Sequence, residues 1–174
     1  MLISILKLLY FLLPVYFADM APVFFKNKLL SLDKPLDKGR RLRGKEILGP
    51  HKTIRGIIAS LLVGTITFYF QQVINIDSMI IYSEYNLLFG FLLSSGAIFG
   101  DLVKSFFKRR MNIPAGTPMY LADQLDAVIG AMLFTSWIMD YSLAQVGLII
   151  ALTLIIKIIA NHIGFYLKIR EVKW

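Results

Sequence analysis

Five long blocks of apolar residues, separated by polar stretches, dominate the hydrophobic pattern of the chain. They span roughly residues 2–25, 56–74, 86–104, 123–140 and 143–167. Because a helix rises about 1.5 Å per residue, about 20 apolar residues suffice to cross the roughly 30 Å hydrocarbon layer of a membrane. The first block is too long for the apolar centre of a signal peptide, so we expect a retained helix, kinked near Pro14. The pattern predicts an all-α membrane protein with five transmembrane helices.

Composition supports this prediction and narrows the chemistry. Of the 174 residues, 57% are hydrophobic, against about 45–50% in soluble domains. We expect a single polytopic membrane domain over residues 1–174. The absence of cysteine excludes disulfides, thiolate metal ligands and thiol nucleophiles. In a chain this apolar, the net charge of +8 favours loops that face anionic lipid over a nucleic-acid partner.

The basic residues alternate with the apolar blocks in a way that predicts orientation. Segments 26–55, 104–122 and 168–174 together hold seventeen of the nineteen Lys and Arg residues. The intervening connections hold none, and carry acids instead at Asp77, Glu84 and Asp140. By the positive-inside rule the N-terminus lies outside, the C-terminus lies in the cytoplasm, and the two basic loops form a cytoplasmic active-site face. The long first loop, 26–55, is expected to be structured, with short helical pieces.

Carboxylates cluster at the same predicted surface. Asp101 lies near the cytoplasmic end of the third block, with Ser105 and Lys108 on the same helical face. Asp123 and Asp126 open the fourth block at i, i+3 spacing. In one interpretation Asp123 is a helix N-cap and Asp101 pairs with Lys104 or Lys108. In the other, the carboxylates hold a divalent cation and the bases bind phosphates, which points to phosphoryl or nucleotidyl transfer.

Other polar residues carry weaker signals. Lys52, Thr53 and Arg55 precede the second block, where they serve either as anchors for anionic headgroups or as part of a site. Asp19 lies in the first block, and Asn161 and His162 in the fifth; hydrogen bonding between helices is favoured over catalysis for them. Gly96-x3-Gly100 is typical of close helix packing.

Two motifs carry a family resemblance. Gly100-Asp101-x3-Ser105-x2-Lys108-Arg109, followed by Asp123-x2-Asp126, resembles the signature of membrane cytidylyltransferases, which make CDP-activated lipids from CTP and phosphate-bearing lipids. Lys52-Thr53-x-Arg55-Gly56 resembles a second element of that family. Its Arg form, together with Leu32-Asp33-x-Pro35-Leu36-Asp37-x-Gly39 and the small size, is similar to the archaeal branch, the CDP-archaeol synthases.

The resemblance implies a Mg²⁺-dependent transfer of CMP from CTP to 2,3-di-O-geranylgeranyl-sn-glycerol 1-phosphate. It implies a metal site at Asp101, Asp123 and Asp126, and catalytic roles for Asp101, Asp126, Lys108 and Lys52. It also implies contacts to CTP or its phosphates from a wider set: Thr53, Arg55, Ser105, Lys108, Arg109 and Asp123. The residues expected to close over the lipid headgroup or base are Asp33, Asp37, Arg40 and Arg41.

Three other functions stay open at this stage. A CDP-diacylglycerol synthase would use the same chemistry on phosphatidic acid. A lipid or nucleotide transporter would use the acids for ion coupling, although transport sites tend to lie near the membrane midplane. A non-catalytic assembly factor would need the basic loops but not the acids. The expected partners are CTP, a prenylated glycerol phosphate lipid and the membrane; no obligate protein partner is inferred, and a homodimer stays open.

Overall fold

The computed structural model describes residues 2–28, 30–76, 78–166 and 168, and its architecture is mainly helical. The predicted loop charge at Asp77 and the tail charges at Arg170 and Lys173 lie outside the described residues. Two single-turn 3-10 helices, Leu30–Leu32 and Tyr82–Glu84, lie in the first and second connections. The α-helices are α1 (Leu2–Phe24), α2 (Ile54–Ile74), α3 (Leu87–Arg110), α4 (Tyr120–Thr135) and α5 (Leu143–Tyr166).

Four of these helices, α1, α2, α3 and α5, are long and apolar enough to cross a membrane in the part of the chain that the structure describes. Helix α4 has 16 residues, which is roughly 24 Å against a hydrocarbon layer of about 30 Å. It begins three residues before the predicted 123 and ends five before the predicted 140. After Thr135 the chain forms a turn over residues 136–139, and the Thr135 hydroxyl lies 2.7 Å from the Tyr141 hydroxyl beyond that turn.

Helix α3 is longer than its apolar block. It continues to Arg110, so the predicted loop 104–122 shrinks to residues 111–119. The last turn contains Lys108, Arg109 and Arg110, and cations there interact favourably with the negative end of the helix dipole. The polar residues expected in a loop are therefore held on a helix.

A seam of glycines joins α3 to α4. An added Cβ at Gly100 would overlap the carbonyl oxygen of Asp126, and one at Gly96 would overlap that of Gly130. An added Cβ at Gly130 would likewise overlap the carbonyl oxygen of Gly96. The two backbones therefore touch, which confirms the predicted packing role of Gly96-x3-Gly100 and brings Asp101 beside the start of α4.

Aromatic side chains fill the end of the bundle opposite the basic loops. Phe68, Tyr82 and Phe89 are buried, and the ring centroids of Phe68 lie 5.6 Å from those of both Tyr82 and Phe89. Phe11 of α1 packs on the same cluster. Many large apolar side chains on the outer surfaces of the helices are exposed instead, as expected where lipid is the solvent.

The first loop contains a small β-hairpin, so the all-α prediction is wrong in this one respect. Strand β1 (Arg41–Leu42) pairs antiparallel with β2 (Lys45–Glu46). Arg110 at the end of α3 donates hydrogen bonds to the carbonyls of Leu42, Lys45 and Glu46, and the Lys45 ammonium donates to the carbonyl of Arg110 at 2.9 Å. We call these four contacts the Arg110 clasp. The clasp fixes the hairpin to the end of the bundle.

Candidate active site

A cavity of about 430 Å³ opens at the basic end of the bundle, between the end of α3, the start of α4 and the facing turns of α1 and α5. Six of the residues predicted for the site line it together, although they come from three separate parts of the sequence. They are Lys52, Asp101, Ser105, Lys108, Arg109 and Asp123. The structure therefore brings the two sequence motifs to one place.

The carboxylates are arranged around a lysine that the motifs did not assign. The Lys104 ammonium lies 3.1 Å from Asp101, 3.0 Å from Asp123 and 2.5 Å from Asp126. The Asp126 side chain is 3% exposed and the Lys104 side chain 14%. The expected pairing of Asp101 with Lys104 is present, and the cluster extends it to three carboxylates from two helices.

Each of the three carboxylates also meets a second lysine. Lys52 lies 2.5 Å from Asp101. Lys108 lies 3.2 Å from Asp123. Lys157 of α5 lies 3.7 Å from Asp126 and 2.8 Å from Asp19 of α1. The site is thus a network of alternating charge, and it ties together five segments of the chain: α1, the first loop, α3, α4 and α5.

Lys157 and Asp19 are site residues that the motifs missed. Both line the main cavity together with Asn161. A signal for Lys157 existed: it is one of two basic residues outside the three basic regions, and it interrupts the most apolar block of the chain. Ionisable side chains within a spanning helix are expensive and mark functional sites by default.

Asp123 is not the N-cap of α4, contrary to the first interpretation. Met119 occupies the cap position, and the Asp123 carboxylate accepts a hydrogen bond from the Met119 backbone N–H at 2.5 Å. The Lys108 ammonium donates to the Thr117 carbonyl at 2.5 Å. These two bonds hold the connection 111–119 over one wall of the cavity.

Two residues of the Lys52-Thr53-x-Arg55-Gly56 element, Thr53 and Arg55, do not line the main cavity. The Thr53 hydroxyl caps α2 by accepting a hydrogen bond from the Gly56 N–H at 3.2 Å, and Thr53 lines a small cavity of about 60 Å³ that shares Lys52 and Asp101 with the large one. The Arg55 side chain is 8% exposed and pairs with Asp33 at 3.0 Å. Asp33 and Arg55 therefore lock the loop onto the start of α2.

The structure does not place Asp37, Arg40 and Arg41 at the cavity. The Asp37 carboxylate accepts hydrogen bonds from the backbone N–H groups of Gly39, Leu48 and Gly49 at 3.0, 2.9 and 3.2 Å. Burial alone would raise the pKa of Asp37, but these donors outweigh it and hold the pKa below its usual value. Asp37 shapes the loop, while Arg40 and Arg41 are exposed on the hairpin and its approach.

The donor chemistry suits a hard divalent cation, because carboxylate oxygens are the ligands that Mg²⁺ prefers. Within the described ranges, no three His, Cys, Asp or Glu side chains form a group that could hold a metal directly. The space between the three carboxylates contains the Lys104 ammonium. A magnesium ion in this space would require the Lys104 ammonium to move aside, and one or two of the carboxylates together with substrate phosphates would then be its ligands.

The helical bundle, with a charged cavity at one end and exposed apolar side chains on its outer surfaces, has the features of an enzyme embedded in a membrane. A solved structure described as an intramembrane enzyme for archaeal membrane lipid biosynthesis superposes with a TM-score of 0.75 at 27% identity, covering 90% of this chain and 94% of that one. The family model "CarS-like: CDP-archaeol synthase" matches residues 1–174. The CDP-archaeol synthase of Thermococcus gammatolerans is 36% identical, over 95% of this chain and 94% of the relative. That of Methanocaldococcus jannaschii is 34% identical, over 95% of each.

This chain belongs to the CDP-archaeol synthase family. It is an enzyme of archaeal membrane lipid biosynthesis. The family prediction made from the two motifs is confirmed.

Proposed function

We propose that this enzyme transfers CMP from CTP to unsaturated archaetidic acid, with the reaction centred on the cavity at the basic end of the bundle. The observation that carries the proposal is the composition of that cavity. Five cationic side chains, from Lys52, Lys104, Lys108, Arg109 and Lys157, face a single space of about 430 Å³. Two anionic reactants that repel each other need such a surface to approach.

In the proposed reaction, a phosphate oxygen of the lipid attacks the α-phosphorus of CTP. A new phosphorus–oxygen bond forms as the bond from the α-phosphorus to the bridging oxygen breaks, and pyrophosphate leaves with the electron pair. The lipid phosphate is an anion at neutral pH, so no strong general base is required. Catalysis then rests on positioning and electrostatic stabilisation.

We assign complementary roles to the residues that line the cavity. Lys108 and Arg109, both at the end of α3, bind the triphosphate and stabilise the charge on the leaving pyrophosphate. The Ser105 hydroxyl, also on this wall, donates to a phosphate oxygen. Lys52, held by Asp101 on the side of the smaller cavity, neutralises the reacting phosphates. Arg55 and Thr53 act indirectly, because their contacts fix the segment that positions Lys52.

Asp101, Asp123 and Asp126 would hold the Mg²⁺ ion. When bound, the ion supplies charge neutralisation and orientation for the phosphates. Asp126 is the strongest candidate ligand, because its side chain is only 3% exposed and both of its buried carboxylate oxygens lack a hydrogen-bond partner in the described part of the chain.

Two apolar grooves adjoin the polar cavity and suit the prenyl chains. One, of about 320 Å³, lies between α1 and α5 and shares Asp19, Val23, Lys157 and Asn161 with the main cavity. The other, of about 350 Å³, lies on the outer face of α3 and α4 and reaches Lys104 and Asp126. A phosphate at the head of a lipid in the first groove would meet Lys157, which lines both spaces.

We further propose that all five helices span the membrane, with the N-terminus outside and the cavity facing the cytoplasm. The basic loops support this orientation. Helix α4 would span with its short length compensated by the turn at Ser136–Asp140 and by local thinning of the bilayer.

The decisive experiment is a transfer assay with purified protein, labelled CTP and Mg²⁺. We expect a labelled CDP-lipid with the unsaturated digeranylgeranyl ether phosphate as acceptor, and none in excess EDTA. Comparison with phosphatidic acid separates this activity from that of a CDP-diacylglycerol synthase. No transfer to either acceptor would refute the proposal.

Orientation has its own test, and the absence of native cysteine makes it clean. Single cysteines at the exposed positions Ser83 and Arg43 lie in different connections. In right-side-out cells, an impermeant thiol reagent should label Ser83→Cys and should label Arg43→Cys only after permeabilisation. The opposite labelling pattern would mean that the N-terminus lies in the cytoplasm and the cavity faces outside.

A further inference from the structure

Lys104 holds a central position in the charge network. It reaches all three carboxylates of the site, one on its own helix and two on α4. Lys52, Lys108 and Lys157 each reach one of the three, within the described part of the chain. Removing an outer lysine would leave its carboxylate still paired with Lys104, whereas removing Lys104 would leave the space between the carboxylates without a cation.

The same space is where a divalent cation would have to sit. Three carboxylates that converge on one point repel each other unless a positive charge lies between them. The ammonium of Lys104 supplies that charge here, at distances of 2.5 to 3.1 Å. A divalent cation and this ammonium cannot occupy the space together, because both size and charge forbid it.

The Lys104 ammonium can move from the carboxylates into the main cavity. Its side chain also lines the 430 Å³ cavity, next to Ser105 and Lys108. The lysine stem is flexible, and its ammonium accepts partners in many geometries. A triphosphate in the cavity would offer oxygen acceptors within reach of the displaced ammonium, whereas the cavity without nucleotide already presents a surplus of cations.

We propose that Lys104 is an internal counter-ion, which neutralises the three carboxylates while the nucleotide site is empty and turns to the triphosphate when CTP binds. This inference rests on the proposed function. It makes divalent-cation binding conditional on the nucleotide: the cation is excluded from the free enzyme and admitted with CTP. By linkage, the cation then increases the affinity for CTP by the same factor.

The test measures cation binding directly, with Mn²⁺ as the probe. Free Mn²⁺ is quantified by its electron paramagnetic resonance signal in titrations of detergent-purified protein, with and without CTP and with no lipid acceptor, so that no transfer takes place. Because the triphosphate itself binds Mn²⁺, each titration with CTP is compared with a matched titration of CTP without protein. The wild-type protein should bind Mn²⁺ weakly alone and at least tenfold more tightly with CTP. Lys104→Met should bind Mn²⁺ at least tenfold more tightly than the wild type when no nucleotide is present.

Three further variants control this result. Lys104→Gln, a second neutral replacement, should behave as Lys104→Met does. Lys104→Arg keeps the charge and should keep the nucleotide dependence. Lys26→Met removes a charge of the same sign from an exposed position beyond α1 and should match the wild type. Equal Mn²⁺ affinity of the wild type and both neutral variants without nucleotide would overturn the proposal.

Thermal unfolding gives an independent readout. In EDTA the two neutral variants should unfold at a lower temperature than the wild type, because the carboxylates lose their shared cation, and Mn²⁺ alone should restore them. The wild type should not respond to Mn²⁺ until CTP is added. Destabilised variants that Mn²⁺ fails to restore would refute the counter-ion role.

The two proposals fail separately. Wild-type protein that takes up no Mn²⁺ even with CTP would refute the metal assignment of the proposed function. Nucleotide-dependent uptake by the wild type, combined with unchanged behaviour of the neutral variants, would leave the proposed function standing and remove only the role given to Lys104.

Discussion

The α3–α4 pair and helix α5 deliver charged groups to the same cavity, but they are held in place by different means. Along the glycine seam, backbone touches backbone, and a single added carbon at Gly100 would overlap a carbonyl. Half of the residues of helix α5 are exposed; its buried residues are Ile149 and Thr153, and Lys157 pairs with Asp19 of α1. The seam fixes Asp101 relative to Asp126 by steric exclusion, whereas α5 is positioned by a short stretch of apolar packing at Ile149 and by a few polar contacts. The rigid pair suits the carboxylates, whose spacing must be held, and the lightly held helix borders the groove proposed for the lipid.

The largest effect should follow from opening the seam. Gly100→Leu forces α3 and α4 apart, because the obstacle is backbone; overpacking typically costs about 1–3 kcal/mol and occasionally more. We expect little folded protein after detergent extraction, measured by size-exclusion chromatography. Gly147→Leu is the matched control, since a Cβ at Gly147 on α5 meets nothing within 4 Å. If both variants fold equally well, the contrast between the two regions is wrong.

The next largest effect should follow from removing a carboxylate from the α3–α4 pair. Asp126→Asn keeps the side-chain volume but weakens the attraction for a cation, and we expect transfer activity to fall by about a hundredfold or more. The comparison is made at equal amounts of membrane-inserted protein, measured by extraction yield. An Asn variant with near-normal turnover would remove Asp126 from the proposed metal site.

On the α5 side, a charge change should alter lipid use more than nucleotide use. Lys157→Met removes the cation that lies at the junction of the cavity and the α1–α5 groove. We expect the KM for the lipid acceptor to rise about tenfold while the KM for CTP changes less, measured in mixed micelles. A larger rise for CTP would place Lys157 with the triphosphate instead.

A matched variant on α5 separates charge from simple attachment. Thr153→Val removes the 3.0 Å hydrogen bond to the Tyr16 hydroxyl of α1 and leaves Lys157 in place. Its expected cost is about 1 kcal/mol of stability, with the lipid KM nearly unchanged. A tenfold KM effect here would mean that α5 attachment, and not the Lys157 charge, controls lipid binding.

The smallest effect should come from the first loop. The pKa of Asp37 is lower in the folded protein than its unfolded value of 3.8, so the carboxylate contributes stability above pH 3.8 that is lost as the pH falls through the folded pKa. Asp37→Asn should therefore lower the unfolding temperature slightly at pH 7, and the difference should vanish under acidic conditions. Hydrogen exchange at the Leu48 and Gly49 amides should be faster in the variant at pH 7. A difference that persists under acid would exclude the charge as its cause.

Sequence reasoning identified the family, the helical class and six of the residues that line the cavity, because motifs and apolar blocks are local signals. It missed the ends of α3 and α4, since apolarity stops at Lys104 whereas helical hydrogen bonding continues to Arg110. It assigned Asp37 to substrate because an acid in a loop reads as a functional group, and the backbone N–H groups it serves are visible only once the loop is folded. The contacts of Lys104 with α4, and the role of Lys157, escaped because they depend on contacts between helices, which spacing within one helix cannot reveal.

The Arg110 clasp has an evolutionary consequence. Its guanidinium binds main-chain carbonyls of the hairpin, and nearly every amino acid presents the same carbonyl. The side chains at Leu42 and Glu46 can therefore diverge freely without releasing the hairpin, while position 110 must remain an arginine. Related enzymes could vary this surface to suit different membranes, and the bundle beneath would keep its shape.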